Sequence, residues 1–277
     1  MGREENVAVF EDTEKLCGEN VRLKECIIKS IAQQRIVLEC DAIPAIEKNI
    51  YSEPAQLVVS KKRSFQAASE YKGQKVCVHN FASASNPGGG VSKGASAQEE
   101  CLCRCSSLYF CLNTREMWNG FYKPHRNTQN SLHNDDLIYT PNVTVFKTDT
   151  AYPKLMEERN WYDVNVITCA APNLRQYPSN AYNSGDGNSA VKITNEELLA
   201  IHEKRLRRIL DVAVMEGNEV VILGAFGCGA FSNSPEVVAR AAKNVIADYR
   251  FAFKVIEFSV YCSPWDERNY RVFERIL

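Results

Sequence analysis

The chain has 277 residues, of which 45% are hydrophobic and 24% charged, and its formal net charge is −1. That composition lies far from the low-hydrophobicity, high-charge corner occupied by disordered chains, and it supplies enough apolar residues for a large core. The near-neutral balance excludes the global positive field on which non-specific nucleic-acid binding rests, so an anionic ligand must be gripped locally.

No stretch approaches the roughly 18 consecutive apolar residues of a membrane span. The N-terminus carries Arg3, Glu4, Glu5, Glu11, Asp12 and Glu14 where a secretory leader has its apolar centre. The expectation is a protein that is neither exported nor membrane-bound. Its eleven cysteines are then expected to be reduced thiols in the cytoplasm.

Residues 1 to about 60 read as helical, with Val21, Leu23, Ile27, Ile28 and Ile31 recurring near a 3.6-residue period. Residues 1–64 are therefore taken as an N-terminal helical extension packed on a core of residues 65–277, the two making one structural unit. Lys61-Lys62-Arg63 is a basic cluster at the junction. From Lys75 short β-branched runs take over: Val76 to Phe81, Val143 to Phe146, Val164 to Cys169, Val220 to Leu223 and Phe253 to Tyr261. Strands alternating with helices predict an α/β sandwich around a mixed central sheet.

Ala95 to Leu112 predicts one helix, with Cys101, Leu102, Cys105, Leu108, Tyr109 and Leu112 on a single stripe. Asn113 to Asp136 and Tyr177 to Lys192 read as long loops of the kind that often carry function. Thr194 and Glu197 form a capping box for a helix that Gly217 stops, and Ser234-Pro235 opens the next. The basic cluster Lys204-Arg205 with Arg207-Arg208 is expected on a solvated helix face. A short helix closes the chain between Trp265 and Leu277.

Two glycine-rich segments follow predicted strands. Asn86-Pro87-Gly88-Gly89-Gly90-Val91 sits between the Val76 strand and the Ala95 helix, where missing β-carbons let backbone N–H groups approach a ligand. Gly224-Ala225-Phe226-Gly227-Cys228-Gly229-Ala230-Phe231 follows the Val220 strand, and its two phenylalanines are bulky where a plain turn would be polar. Neither segment has a Walker ending or the usual dinucleotide context. Two such loops at the carboxyl ends of strands predict a diphosphate cradle in one crevice.

Gln98, Glu99 and Glu100 occupy the first turn after the first loop. At about 100° per residue, Gln98 falls on the buried stripe while Glu99 and Glu100 point away from the core toward the glycine loop. A helix N-terminus lowers a carboxyl pKa whereas a general acid needs it raised. The expectation is that a bound diphosphate, with Glu99, raises that of Glu100.

The run from Asn80 through Gly88-Gly89-Gly90-Val91, a seven-residue spacer from Val91 to Ala97, and then Gln98-Glu99-Glu100 resembles the signature of bacterial-type poly(ADP-ribose) glycohydrolases. Ile138 to Val143, Ala170 to Asn173 and Gly224 to Phe231 continue the resemblance. It implies a macrodomain-like three-layer αβα sandwich in which residues 65–277 are the catalytic core. The substrate would be poly(ADP-ribose) or an ADP-ribosylated macromolecule, and the product ADP-ribose. Carried over, Glu100 would protonate the departing ribose oxygen and then activate water, Glu99 would hold ribose hydroxyls, and Gln98 would support the turn. The Gly88 to Val91 backbone and the Ala225 to Ala230 loop would hold the diphosphate, Phe231 or Phe226 would set the distal ribose, and Asn86 would contact a ribose hydroxyl. No metal or other cofactor is implied. A hydrolase of single ADP-ribose units and a non-catalytic reader are the alternatives; a reader needs the cradle but not the acid.

Cys101, Cys103 and Cys105 span about 400° of helix, so Cys101 and Cys105 are expected to share a face and Cys103 to lie opposite, which is no zinc site. His79, His125, His133 and His202 lack close ligand spacing, and Cys228 reads as a small apolar loop residue.

Overall fold

Among the described residues seven strands form one mixed sheet in the order β1-β4-β5-β3-β6-β7-β2: β1 Arg35–Val37, β2 Gln56–Ser60, β3 Val76–Phe81, β4 Leu137–Val145, β5 Tyr162–Cys169, β6 Val220–Leu223 and β7 Val255–Ser259. The computed structural model describes every residue except Tyr182 and Pro264. β3 lies parallel between β5 and β6, with Cys77 opposite Asn165 and Val76 opposite Val220, while β4 and β1 run antiparallel at one edge. Because β2, β3, β5, β6 and β7 are parallel, their carboxyl ends share one edge, where crevices form in α/β sheets.

Among the described residues ten α-helices cover the faces: α1 Arg3–Glu19, α2 Val21–Gln33, α3 Ser64–Ala68, α4 Gln98–Cys105, α5 Leu108–Leu112, α6 Arg115–Met117, α7 Lys123–Thr128, α8 Asn195–Met215, α9 Pro235–Ile246 and α10 Arg268–Ile276. Alternation along the strands splits the apolar residues between two cores. Cys77, Val221 and Ile256 pack under Leu210, Val245 and Phe273 of α8, α9 and α10. Val76, Val78 and Ile222 pack on the other side with Phe10, Phe65, Leu102 and Met117. Helices on both faces make the three-layer sandwich expected of a macrodomain-like chain.

Local signals hold where they are strongest. Thr194 and Glu197 make the reciprocal capping box, at 3.1 and 2.7 Å, and the chain leaves α8 through Gly217 at φ 66°. No helix among the described residues is long and apolar enough to cross a membrane.

Four expectations need correction. The first 60 residues are not wholly helical, since β1 and β2 join opposite edges of the sheet. The Ala95 to Leu112 helix is two helices: Ser106 adopts an extended conformation, bridges Val145, and bonds Leu102 O through its own Oγ at 2.8 Å. The 113–136 segment is largely helical, passing from α6 through a π-turn at Trp118–Tyr122 into α7, and it buries Met117, Phe121 and Tyr122. The Lys204 cluster is not a free basic face, because Arg205 is buried against Asp135 at 2.9 Å, Lys204 pairs with the same carboxylate and Arg207 pairs with Asp248. Residues 177–192 contain no helix or strand among the described residues, and Tyr182 in that stretch lies outside them.

Candidate active site

The first loop and α4 are sewn to the end of β3 by Gln98. Its Oε1 accepts from Phe81 N at 2.9 Å, and its Nε2 donates to His79 O at 2.8 Å and Ser64 Oγ at 3.0 Å. This fixes where the next two side chains fall. Glu99 Oε2 accepts from Ser83 N at 2.7 Å and Oε1 from Asn80 Nδ2 at 3.3 Å. Glu100 Oε1 accepts from Gly90 N at 2.9 Å, and Oε2 has no hydrogen-bond partner among the described residues.

The two carboxylates are only 3% and 7% exposed. They point toward the glycine loop as expected but are buried beneath it, which the helical wheel of α4 alone does not reveal. Gly89 has φ 56°, and a β-carbon there would come 2.5 Å from Glu100 Oε1 and 3.2 Å from Glu99 Oε2. Burial also supplies the electrostatics expected from a ligand. It pushes the Glu99 carboxyl well above the ordinary range, with the charge of Glu100 adding to it and the Ser83 and Asn80 donors opposing. It raises Glu100 as well, against the pull of Gly90 N–H. Both carboxyls are therefore raised by the fold itself.

The second loop is gathered by Asn233. Its Nδ2 donates to Pro172 O at 2.7 Å, Phe231 O at 3.1 Å and Gly227 O at 3.2 Å, and its Oδ1 is 2.7 Å from His202 Nε2. Phe226 is buried edge-on to His79, with ring centroids 4.4 Å apart, whereas Phe231 is half-buried. Burial lowers His79 to about 3 and His202 to about 4, so both rings under this loop are neutral at physiological pH. Burial likewise pushes the Cys228 thiol up and leaves it a poor nucleophile.

Both loops border one cleft of about 1140 Å³. Gly89, Gln98, Glu99 and Glu100 line it from one side, and Ala225, Phe226, Gly227, Gly229, Ala230 and Phe231 from the other. Asn86, Gly88, Gly90, Val91, Gly224 and Cys228 stand behind those walls. Asn86 turns its amide to Ser184 O at 2.8 Å, Val91 is a core residue, and Gly88 closes on the Tyr109 ring. Cys101 borders the cleft with its Sγ 3.2 Å from both Arg63 and Arg104, while Cys103 and Cys105 are buried. Cys101 and Cys105 share a face of α4, each near Asp149 and Arg104, and Cys103 lies toward Glu99; all sides of α4 are nonetheless covered.

Sequence reasoning missed further lining residues. Arg63, Ser64 and Tyr261 follow the carboxyl ends of β2 and β7, and Arg63 lies 3.9 Å over the Tyr261 ring. Position after a parallel strand was the available signal. Arg175, Asn180 and Asn183 come from the loop after β5.

The chain matches the microbial-type PARG catalytic domain over residues 4–148, just over half its length. It belongs to the microbial-type PARG family. Solved structures agree with that membership across nearly the whole chain. The poly(ADP-ribose) glycohydrolase of Thermomonospora curvata is 27% identical with a TM-score of 0.84, over 99% of this chain and 100% of that one. The same enzyme bound to the inhibitor ADP-HPD gives 26% and 0.82 over the same shares. The Deinococcus radiodurans enzyme in complex with ADP-ribose is 29% identical with a TM-score of 0.75, over 91% of this chain and 96% of that one. No curated protein sequence matches the chain. Within this PARG-family chain the family match covers the first loop and the acid pair, and the second loop lies beyond it in the part covered by the structural matches.

Proposed function

We propose that the chain hydrolyses the ribose–ribose O-glycosidic bonds of poly(ADP-ribose) and releases ADP-ribose, with Glu100 as general acid and then base. The observation that carries this is the adjacent, buried carboxylate pair under Gly89, both residues lining the cleft and one oxygen of Glu100 without a hydrogen-bond partner among the described residues. A module that only read ADP-ribose would gain nothing from burying two acids at the cost of their solvation.

Burial raises the Glu100 carboxyl and so favours the protonated form that donates to the departing ribose oxygen, and the bond breaks through an oxocarbenium-like transition state. The carboxylate then takes a proton from the attacking water. One glutamate thus serves both steps, and the substrate's diphosphate stabilises the cation. Glu99, held by Ser83 and Asn80, orients ribose hydroxyls, and Gln98 keeps the turn in register with β3. The backbone of Ala225 to Ala230 holds the diphosphate and Phe231 sets the distal ribose; of the Gly88 to Val91 segment only Gly89 borders the cleft, its neighbours being tied to Glu100 and to each other. Burial raises the Glu99 carboxyl, and the charge of Glu100 adds to that rise.

The cytoplasm suits this activity, since all eleven cysteines are free thiols. The N-terminal 64 residues fold with the remainder as one unit, a reading supported by Phe10 in the same core as Leu102.

Wild-type and Glu100→Gln protein, incubated with poly(ADP-ribose) and separately with a mono-ADP-ribosylated protein, test the assignment by chromatography of free ADP-ribose. The variant is expected to lose at least about 100-fold in rate with ADP-ribose affinity retained. Release from the mono-modified substrate alone would move the assignment to single units. Binding without release from either would make the chain a reader.

A further inference from the structure

The loop after β5 holds a buried polar network that the proposed reaction does not use. Asp186 is 2% exposed. Its Oδ2 accepts from Asn173 Nδ2 at 2.9 Å and Asn183 Nδ2 at 2.5 Å, and lies 3.3 Å from His133 Nε2. Its Oδ1 accepts from Ser85 Oγ at 2.7 Å. Burial pushes this carboxyl up, but His133 and these donors outweigh it and hold it below the ordinary range, as an ion.

The network leads to the acid pair. Asn183 Oδ1 accepts from Ser83 Oγ, which in turn accepts from Asn86 N at 3.1 Å at the entry to the first glycine loop. Ser83 N is the donor to Glu99. Both oxygens of Asp186 therefore reach the Ser83 to Ser85 segment, one directly and one through Asn183. Backbone geometry commits the loop to this seat: Gly187 has φ 78° with no room for a β-carbon beside Gln129 O, and His133 holds φ 58° while its Nδ1 reaches Ala171 O at 2.8 Å. At its other end, Leu174 N donates to Phe231 O at 3.0 Å and Arg175 bonds Ala230 O. One stretch of chain is pinned to both glycine loops.

We propose that Asp186 is a positioning residue for the hydrolysis: it clamps the 173–187 loop onto Ser83–Ser85, so that the Ser83 N–H meets Glu99 and the acid pair is held in register with the cleft wall. This rests on the glycohydrolase reading above. Asp186 touches no substrate and acts through Asn183, Ser85 and Ser83. A buried carboxylate with three N–H or O–H donors is suited to the task, because it orders every group that faces it.

The test compares wild type, Asp186→Asn, Ser83→Ala and the double variant on poly(ADP-ribose), with ADP-ribose affinity by calorimetry and the Glu99 carboxyl titration by 13C NMR. Asp186→Asn is expected to lower kcat about 10- to 100-fold while the ADP-ribose Kd moves less than about threefold. The Glu99 titration should move upward as the Ser83 donor is lost. Because Ser83→Ala cuts the same chain of bonds, the double variant should be no slower than the slower single. Unchanged kcat and titration in Asp186→Asn, or losses that multiply in the double variant, would overturn the proposal. If Asp186→Asn fails to fold, Ser83→Ala carries the test, and wild-type kcat with an unmoved Glu99 titration rejects it. A wild type that releases no ADP-ribose defeats the glycohydrolase reading instead, and the titration still decides whether Asp186 positions Glu99.

Discussion

The two glycine loops have similar composition and sit at corresponding ends of neighbouring parallel strands, yet they use glycine for different reasons. In the first, Gly88 and Gly89 both have positive φ, and β-carbons there would strike the Tyr109 ring at 2.8 Å and Glu100 at 2.5 Å. Those glycines answer to the protein itself, to its core and its acid pair. In the second, Gly224 and Gly227 are crowded too, with built β-carbons 2.7 Å from Ser259 O and from the Ala171 β-carbon respectively, but Gly229 has nothing within 4 Å of a built β-carbon. The first loop is a lid on two carboxylates; the second is partly open surface, free to face a ligand.

Replacing glycines is the sharpest way to break that contrast. Gly89→Ala should have the largest effect, because the methyl group displaces Glu100 and the residue must hold a left-handed conformation that costs roughly 1–2 kcal/mol. We expect kcat for ADP-ribose release to fall about 100-fold. A near-wild-type rate would mean that the acid pair tolerates movement, and that the first loop is no more demanding than the second.

Much of this was legible in the sequence, and what was missed shares a cause. The GGG and QEE runs lie within 15 residues, so their adjacency in space follows from a single strand-loop-helix connection. The α8 capping box and the Gly217 stop are likewise local. Burial of Glu99 and Glu100 was not legible, because a wheel drawn for α4 knows its own core stripe and not the loop folded over its other side. β2 escaped notice because its partner, β7, lies some 200 residues away, pairing Gln56 with Val255. Asp186 sits in an Asn-Ser-Gly-Asp-Gly-Asn run whose composition says turn. Only its bond to Ser85 and its link to Ser83, about 100 residues distant, give it a role.

The lid also has a thermodynamic signature. Both glutamates have folded-state pKa values raised by burial. A raised carboxyl binds its proton more tightly in the folded than in the unfolded chain. Its contribution is fully present below the unfolded value of about 4.3 and is lost as pH rises through the folded value. Glu99→Gln removes the buried charge, and Asn80 Oδ1, which lacks a partner among the described residues, can turn to accept from the new amide. Thermal melts should therefore show the variant several °C more stable than wild type near about pH 8, with the gap closing near about pH 4. A gap independent of pH would place the effect in packing and not in charge.

The smallest expected effect tests the open side of the comparison. Gly229 is exposed and borders the cleft, so Gly229→Ala meets no protein atom and any cost must come from the ligand. Melting should be unchanged within the roughly 0.5 kcal/mol typical of surface substitutions, and KM for poly(ADP-ribose) should rise about two- to threefold as the added methyl crowds the diphosphate. Since the acid pair sits under the other loop, kcat should follow wild type, which is the pattern of an interaction made equally in ground and transition states. A fall in kcat instead would tie this loop to the bond-breaking step and erase the division of labour between the two glycine loops.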